Sequence, residues 1–179
     1  MISYEVDGHV ARLTIRRAEK HNALTAELVE QLLDHLERAS ADDDVKVSVL
    51  SAEGPTFCAG FDISAREAFD GPPDATRRSR VQAVAEKAEW MRRILTTRKP
   101  LVVAVQGPCI GIGMYLVLVA DFAIATDGAT FGLPLRPAID DVLITLPDCC
   151  AVITGKTCCN PRNAPRTLTA ITASKSASL

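Results

Sequence analysis

The chain has 179 residues, of which 47% are apolar and 23% charged, and a formal net charge of −2. That length suits one domain with a substantial core, and the near-neutral charge excludes nucleic-acid binding driven by neutralisation of phosphates. The N-terminal MISYEVDGHVARL carries Glu5 and Asp7 and no long apolar run, so a signal or transit peptide is not expected and cytoplasmic residence is.

Taken in chain order, residues 2–6 and 10–15 are strand-like runs joined by Asp7-Gly8, a hairpin signal. Thr25 is expected to cap a helix whose Leu28, Leu32, Leu33 and Leu36 share one face, with Asp42, Asp43 and Asp44 beyond its end. Residues 45–50 read as a strand, and SAEGPTFCAGFD as a loop with turns at Gly54-Pro55 and Gly60. The polar stretch 64–80 contains Gly71-Pro72-Pro73 and is expected to be a mobile surface segment. A helix is expected from 76 to 97, with Val81, Val84, Ala88, Met91 and Leu95 at helical spacing and Arg92 and Arg93 on a solvated face. Next comes the hydrophobic centre, KPLVVAVQGPCIGIGMYLVLVAD over 99–121. There, 101–105 read as a buried strand and 114–120 as a buried helix around a glycine turn. A further strand follows at 122–125.

Twenty apolar residues could also span a membrane, but Gln106-Gly107-Pro108 would break such a helix at its middle. Strand, glycine turn and helix also suggest a dinucleotide loop and an NAD-binding dehydrogenase. The spacing G-x-x-x-G-x-G is not the G-x-G-x-x-G of that fingerprint. A third reading gives the glycines a packing role only. The alternation of strands and helices implies an α/β domain with crossover connections and a mostly parallel sheet.

Residues 1–141 are assigned to the folded core and 142–179 to an atypical, loosely held tail. No Phe, Tyr or Trp occurs beyond Phe131 and no acid beyond Asp148. Of the six cysteines, Cys149-Cys150 and Cys158-Cys159 are adjacent pairs without the C-x-x-C spacing of a zinc site, so no metal is expected. Disulfides are not expected either. Cys58 and Cys109 are expected to be small buried hydrophobes.

The chemistry centres on two glycine turns, FCAGFD after the third strand and PCIGIG after the fourth. Parallel sheets place ligands at the C-terminal ends of strands, so the two turns could face one site. Two converging backbone amides would form an oxyanion hole for an enolate or tetrahedral intermediate.

Together, RAEKHNAL, SAEGPTFCAGFDI, KPLVVAVQGPCIGIG and ADFAIATDGATFGLP resemble the crotonase superfamily, the enoyl-CoA hydratase/isomerase family, over about residues 1–135. The resemblance implies a spiral of ββα units with a C-terminal helical region that assembles trimers or hexamers. Most of that region is expected to be missing from this chain, and a homotrimer or hexamer is the assembly the resemblance implies. It implies an acyl-CoA thioester as substrate and no permanently bound cofactor, coenzyme A entering as part of that thioester. Neither nucleic acid nor membrane is implied as a partner. Carried over by position, the oxyanion amides are those of Phe61 and Ile112. The CoA moiety would lie against His21, Asn22 and Ala23 and against Ala59, Gly60, Asp62 and Ile63, with Gly111 beside it. The structural alternative for Asp62 is to cap a short helix at 64–68.

Two departures from the family pattern bear on activity. Tyr115 and Leu135 stand where the family's hydratases carry their two glutamates, and the unperturbed phenol pKa near 10 makes Tyr115 a poor base at neutral pH. Asp140 or Asp141 could supply one carboxylate as acid, base or nucleophile, as in some dehalogenases and dienoyl isomerases of the family. The alternative is that both are solvated loop acids. Glycine is also usual at position 112, and a β-branched residue there is costly if φ must be positive. The expected function is therefore an enoyl-CoA hydratase/isomerase-like enzyme, a lyase or isomerase. The alternative is a non-catalytic CoA-thioester-binding or assembly protein of the same fold.

Overall fold

The computed structural model describes residues 1–62, 64, 85, 88–132 and 171–173. Strands β1 (Ile2–Asp7) and β2 (Val10–Ile15) form an antiparallel hairpin in which Asp7 pairs with Val10. Asp7 thus keeps its place in the ladder and the loop is Gly8-His9, one residue later than expected, with Gly8 at φ 56°. Helix α1 (Ala26–Ala41) follows. Its first turn is capped by Thr25 Oγ1, which accepts the Leu28 N–H at 3.3 Å. Leu28, Leu32, Leu33 and Leu36 are buried, each contributing about 1.5–3 kcal/mol relative to exposure. The Lys99 ammonium donates to Ala39 O in the last turn of α1 at 2.8 Å and to Asp42 O just beyond its end.

Strand β3 (Val47–Ala52) starts two residues later than the sequence suggests. Val45 is fully buried, but its N–H turns back to Asp42 O, and pairing with β2 begins at Val47 opposite Val10. Then come β4 (Leu101–Val105), β5 (Pro108–Ile110), α2 (Ile112–Val119), β6 (Phe122–Thr126), β7 (Thr130–Gly132) and β8 (Ile171–Ala173). The main sheet runs β1-β2-β3-β4-β6-β8, antiparallel between β1 and β2 and parallel elsewhere. The hydrophobic centre over 99–121 is thus two strands and a short helix, and among the described residues no helix is long and apolar enough to cross a membrane.

The short parallel sheet of β5 and β7 was not foreseen. Three residues beginning with Pro108 are too few to show alternation, and the glycines on either side read as turn. A second correction concerns Arg93. It is only 22% exposed and reaches Glu30 at 2.6 Å, Glu37 at 2.8 Å and Asp34 at 3.5 Å, all on α1. It therefore ties the helical stretch 88–95 to α1, aided by Trp90, whose Nε1–H donates to Glu30 at 2.6 Å. Arg92 does face solvent and pairs with Glu89.

Candidate active site

Three adjacent parallel strands, β2, β3 and β4, end side by side, so the segments leaving them are delivered to one edge of the sheet. The segment after β2 passes through His21 and Asn22, both left-handed at φ 52° and 54°. The segment after β3 carries Phe57 to Asp62, and the one after β4 carries Gly107 to Ile112. Backbone hydrogen bonds join them in that order. Ala59 N–H donates to His21 O at 3.0 Å, Leu24 N–H to Gly60 O at 2.8 Å, and Asp62 N–H to Leu24 O at 2.9 Å. On the other side, Phe57 N–H donates to Pro108 O at 3.0 Å and Ile110 N–H to Cys58 O at 2.8 Å.

These bonds fix where Phe61 points. Gly60 and Asp62 bond to Leu24, forming a parallel bridge between Leu24 and Phe61, so the N–H and C=O of Phe61 face away from Leu24. The two glycine turns abut: a Cβ placed on Gly111 would sit 3.5 Å from Gly60 Cα, and one on Gly60 would sit 3.7 Å from Ile110 O. Gly111 takes the positive φ of 57° and precedes α2. Ile112 is the first residue of α2 and is not among the positive-φ residues, so the strain foreseen for isoleucine there does not arise. The first amides of a helix have no intrahelical acceptor, and among the described residues the Ile112 N–H donates to nothing. Tyr115, half-buried, lies three residues on, on the same side of the helix.

The expected CoA contacts divide into exposed and committed groups. His21 and Ala59 are exposed. The Asn22 side chain is 0% exposed and wholly engaged: its Oδ1 accepts from Arg17 N–H at 2.9 Å and its Nδ2 donates to Glu53 O at 2.8 Å and Thr56 O at 2.7 Å. It fastens the β2 segment to the β3 segment. Replacing Asn22 with Ala leaves these three backbone groups unsatisfied, at about 1–3 kcal/mol for each that stays dry. We expect Asn22→Ala to lose about 3 kcal/mol in guanidinium unfolding; a loss below about 1 kcal/mol would show that the Asn22 amide does not fasten the two segments.

Asp62 is similarly committed. Its Oδ1 accepts from Ser64 N–H at 2.9 Å and from the Ser64 hydroxyl at 2.6 Å, and its Oδ2 lies 2.6 Å from Arg17. The Ser64 hydroxyl foremost, then Arg17, holds its carboxyl down to about 2, so it is ionised at neutral pH. Arg17, which also donates to Ala23 O at 2.8 Å, escaped the sequence reading because its partner lies far along the chain. Cys58 and Cys109 are buried, free and paired across a short bridge. Burial pushes their thiols up to about 11 and about 12, which keeps both neutral.

Ile63, Leu135, Asp140, Asp141, the two adjacent cysteine pairs, most of the polar stretch 64–80 and the proposed tail apart from β8 lie outside the described residues. Among the described residues no group of three or more His, Cys, Asp or Glu could hold a metal ion. A cleft of about 300 Å³ lined by Glu37, Ser40, Arg93 and residues 96–98 lies where β3 and β4 begin, away from the glycine turns.

Residues 5–137 match the family described as Enoyl-CoA hydratase/isomerase. Among curated proteins, the chain is 36% identical over 126 residues to a "Probable enoyl-CoA hydratase" of Mycobacterium tuberculosis, covering 70% of this chain and 47% of that protein. It is 37% identical over 131 residues to 4-chlorobenzoyl coenzyme A dehalogenase-2 of an Arthrobacter species, covering 73% and 46%. The crystal structure of an enoyl-CoA hydratase/isomerase from Xanthobacter autotrophicus superposes with a TM-score of 0.65 at 35% identity, covering 74% of this chain and 48% of that one. The chain spans about half the length of the relatives it matches.

Proposed function

The chain belongs to the enoyl-CoA hydratase/isomerase family, the crotonase superfamily, and on that premise we propose that it binds an acyl-CoA thioester with the thioester oxygen at the amides of Phe61 and Ile112. The observation that carries this reading is the close approach of the Gly60 and Gly111 turns. It supports the reading because Phe61 and Ile112 are the residues that follow those two glycines. Negative charge develops on the thioester oxygen as an enolate forms, and two fixed amides, one of them at the N-terminus of α2, stabilise that charge more than they stabilise the ground state.

The relatives' names support the substrate class and leave the acyl group open. One is named for an enoyl-CoA and another for 4-chlorobenzoyl coenzyme A, so coenzyme A thioesters are the common term while the acyl part and the reaction differ. Exposed His21 and Ala59 are the surface offered to the CoA moiety, with Asn22 and Asp62 holding the loops beneath it.

With Tyr115 and Leu135 in place of the two glutamates, this fold supplies an enolate-stabilising cradle without the usual pair of acid/base groups. Crotonyl-CoA is expected to bind at sub-millimolar concentration in a calorimetric titration, and the α-proton of an acyl-CoA to exchange with heavy water faster than without protein. Hydration of crotonyl-CoA is expected to run below the enzyme median of about 10 per second. Absence of binding at millimolar ligand would sink the reading. The second reading, a CoA-thioester-binding protein without catalysis, is favoured by the same two substitutions and predicts binding with no exchange.

A further inference from the structure

Phe61 is fastened towards α1 at two places. Its backbone neighbours are one: Leu24 N–H donates to Gly60 O at 2.8 Å and Asp62 N–H to Leu24 O at 2.9 Å, and Leu24 stands just before the Thr25 cap of α1. Its ring is the other. The Phe61 and Trp90 ring centroids are 6.4 Å apart with their planes inclined at 49°, inside the roughly 4.5–7 Å at which aromatic pairs attract. The Trp90 indole is in turn tied to α1, because its Nε1–H donates to Glu30 Oε1 at 2.6 Å, while Arg93 donates to Glu30 Oε2 at 2.6 Å. From Leu24 along α1 to Glu30, across to Trp90, onto Phe61 and back to Leu24, the contacts close a circuit.

The second anchor acts where the backbone is weakest. Gly60, with φ 105° and no side chain, leaves the peptide between it and Phe61 freer to swing than one flanked by two residues with a Cβ. The bond from Leu24 holds the carbonyl end of that peptide. Packing of the Phe61 ring restricts rotation about the bonds at Phe61 Cα, and because the peptide unit is planar this limits the aim of the Phe61 N–H at its other end. The Glu30 carboxylate gives one oxygen to the indole and the other to Arg93, so the position of Trp90 is set from α1 as well as from its own helical stretch. Leu95 provides an internal control. It is half-buried against the same core on the same stretch, but five residues on, more than one helical turn from Trp90.

We propose that Trp90 is a positioning residue: held by Glu30 of α1, it backs the Phe61 ring and so keeps the Phe61 N–H aimed at the thioester oxygen. The inference rests on the reading of the Phe61 amide as part of the thioester-oxygen site. It differs from a mere packing role because Trp90→Ala and Leu95→Ala both loosen the same helical stretch, and only the first removes the support of Phe61.

The test compares wild type, Trp90→Ala, Trp90→Phe, Glu30→Ala, Glu30→Gln and Leu95→Ala by α-proton exchange of acetyl-CoA in heavy water, with the unfolding midpoint of each. The turnover of Trp90→Ala is expected to fall about 10- to 100-fold with KM changed less than about threefold, and that of Leu95→Ala to stay near wild type. Trp90→Phe, which keeps a ring against Phe61, is expected to recover most of the loss. Glu30→Ala is expected to lower turnover in the same direction, and Glu30→Gln, which can still accept the indole N–H, to restore it. Turnover of Trp90→Ala within about threefold of wild type, or equal loss in Leu95→Ala, overturns the proposal. Where Trp90→Ala does not fold, the Glu30 pair decides in its place, and equal turnover of Glu30→Ala and wild type overturns it. Trp90 is the chain's one tryptophan, so its emission reads the ring contact directly: Phe61→Ala is expected to shift it to the red and Leu95→Ala to leave it unchanged. If the wild type exchanges no α-proton, the catalytic reading fails by itself. The emission then decides whether Trp90 supports Phe61, and an unshifted emission in Phe61→Ala overturns that support.

Discussion

Gly107→Ala is expected to lose at least about 4 kcal/mol of stability, a large part of the 5–15 kcal/mol typical of a whole domain. A Cβ at Gly107 would sit 2.0 Å from Pro55 O and 3.1 Å from Pro55 C, both backbone atoms. No rotamer relieves such a contact, so either β4 or the loop after β3 must move. Both are anchored: Gln106 Nε2 donates to Ala52 O at 2.6 Å and to Gly54 O at 3.2 Å, and Thr130 N–H donates to Gly107 O at 3.0 Å. The φ of 62° adds about 1–2 kcal/mol for any residue with a Cβ. Gly8→Ala separates the two contributions, because Gly8 has φ 56° and nothing within 4 Å of its Cβ position. It should cost only the backbone share, about 1–2 kcal/mol. Urea unfolding of the two variants beside wild type measures the difference. Equal losses would show that the approach to Pro55 is not as tight as described.

Ile112→Pro is expected to lower α-proton exchange by about 10²–10³-fold, the range for removing one oxyanion donor, while the protein stays folded. Proline is suited to the first position of a helix, where its fixed φ matches and no intrahelical hydrogen bond is lost. Ile112 holds that position in α2. The substitution therefore deletes the one N–H at issue with little other change to the backbone. Circular dichroism and the unfolding midpoint report the fold, and heavy-water exchange reports the chemistry. A folded variant with wild-type exchange would remove Ile112 from the site. Ile112→Gly, which restores the residue usual in the family, serves as the partner measurement and is expected to retain activity.

Several elements were legible because their signals are local. The strand pair around Asp7-Gly8, the Thr25 cap with its leucine face, and the strand and helix flanking the glycine turn all depend on neighbours within a few residues. Their errors are local as well. The hairpin loop lies one residue later than Asp7-Gly8, since Asp7 finds a ladder partner in Val10. Strand β3 starts at Val47, since Val45 is buried by the turn from Asp42. Arg93 could not be told from Arg92 by spacing alone, because the acids that engage it belong to another helix.

By itself, the sequence determined the alternation of strands and helices, the two glycine turns at strand ends, and the family whose motifs they carry. Motif order and spacing are properties of the chain. Tertiary structure alone decided how the turns meet. The parallel order of β2, β3 and β4 brings three separate segments to one edge of the sheet. There, Gly111 takes the positive φ that isoleucine would resist, Asn22 and Asp62 serve the scaffold, and the Cys58 side chain packs against Gly113 in the first turn of α2. Each of these depends on contacts between residues about 30 to 55 positions apart in the chain. Such contacts leave no local trace, because a hydrogen-bond partner is chosen by position in space rather than by position in sequence.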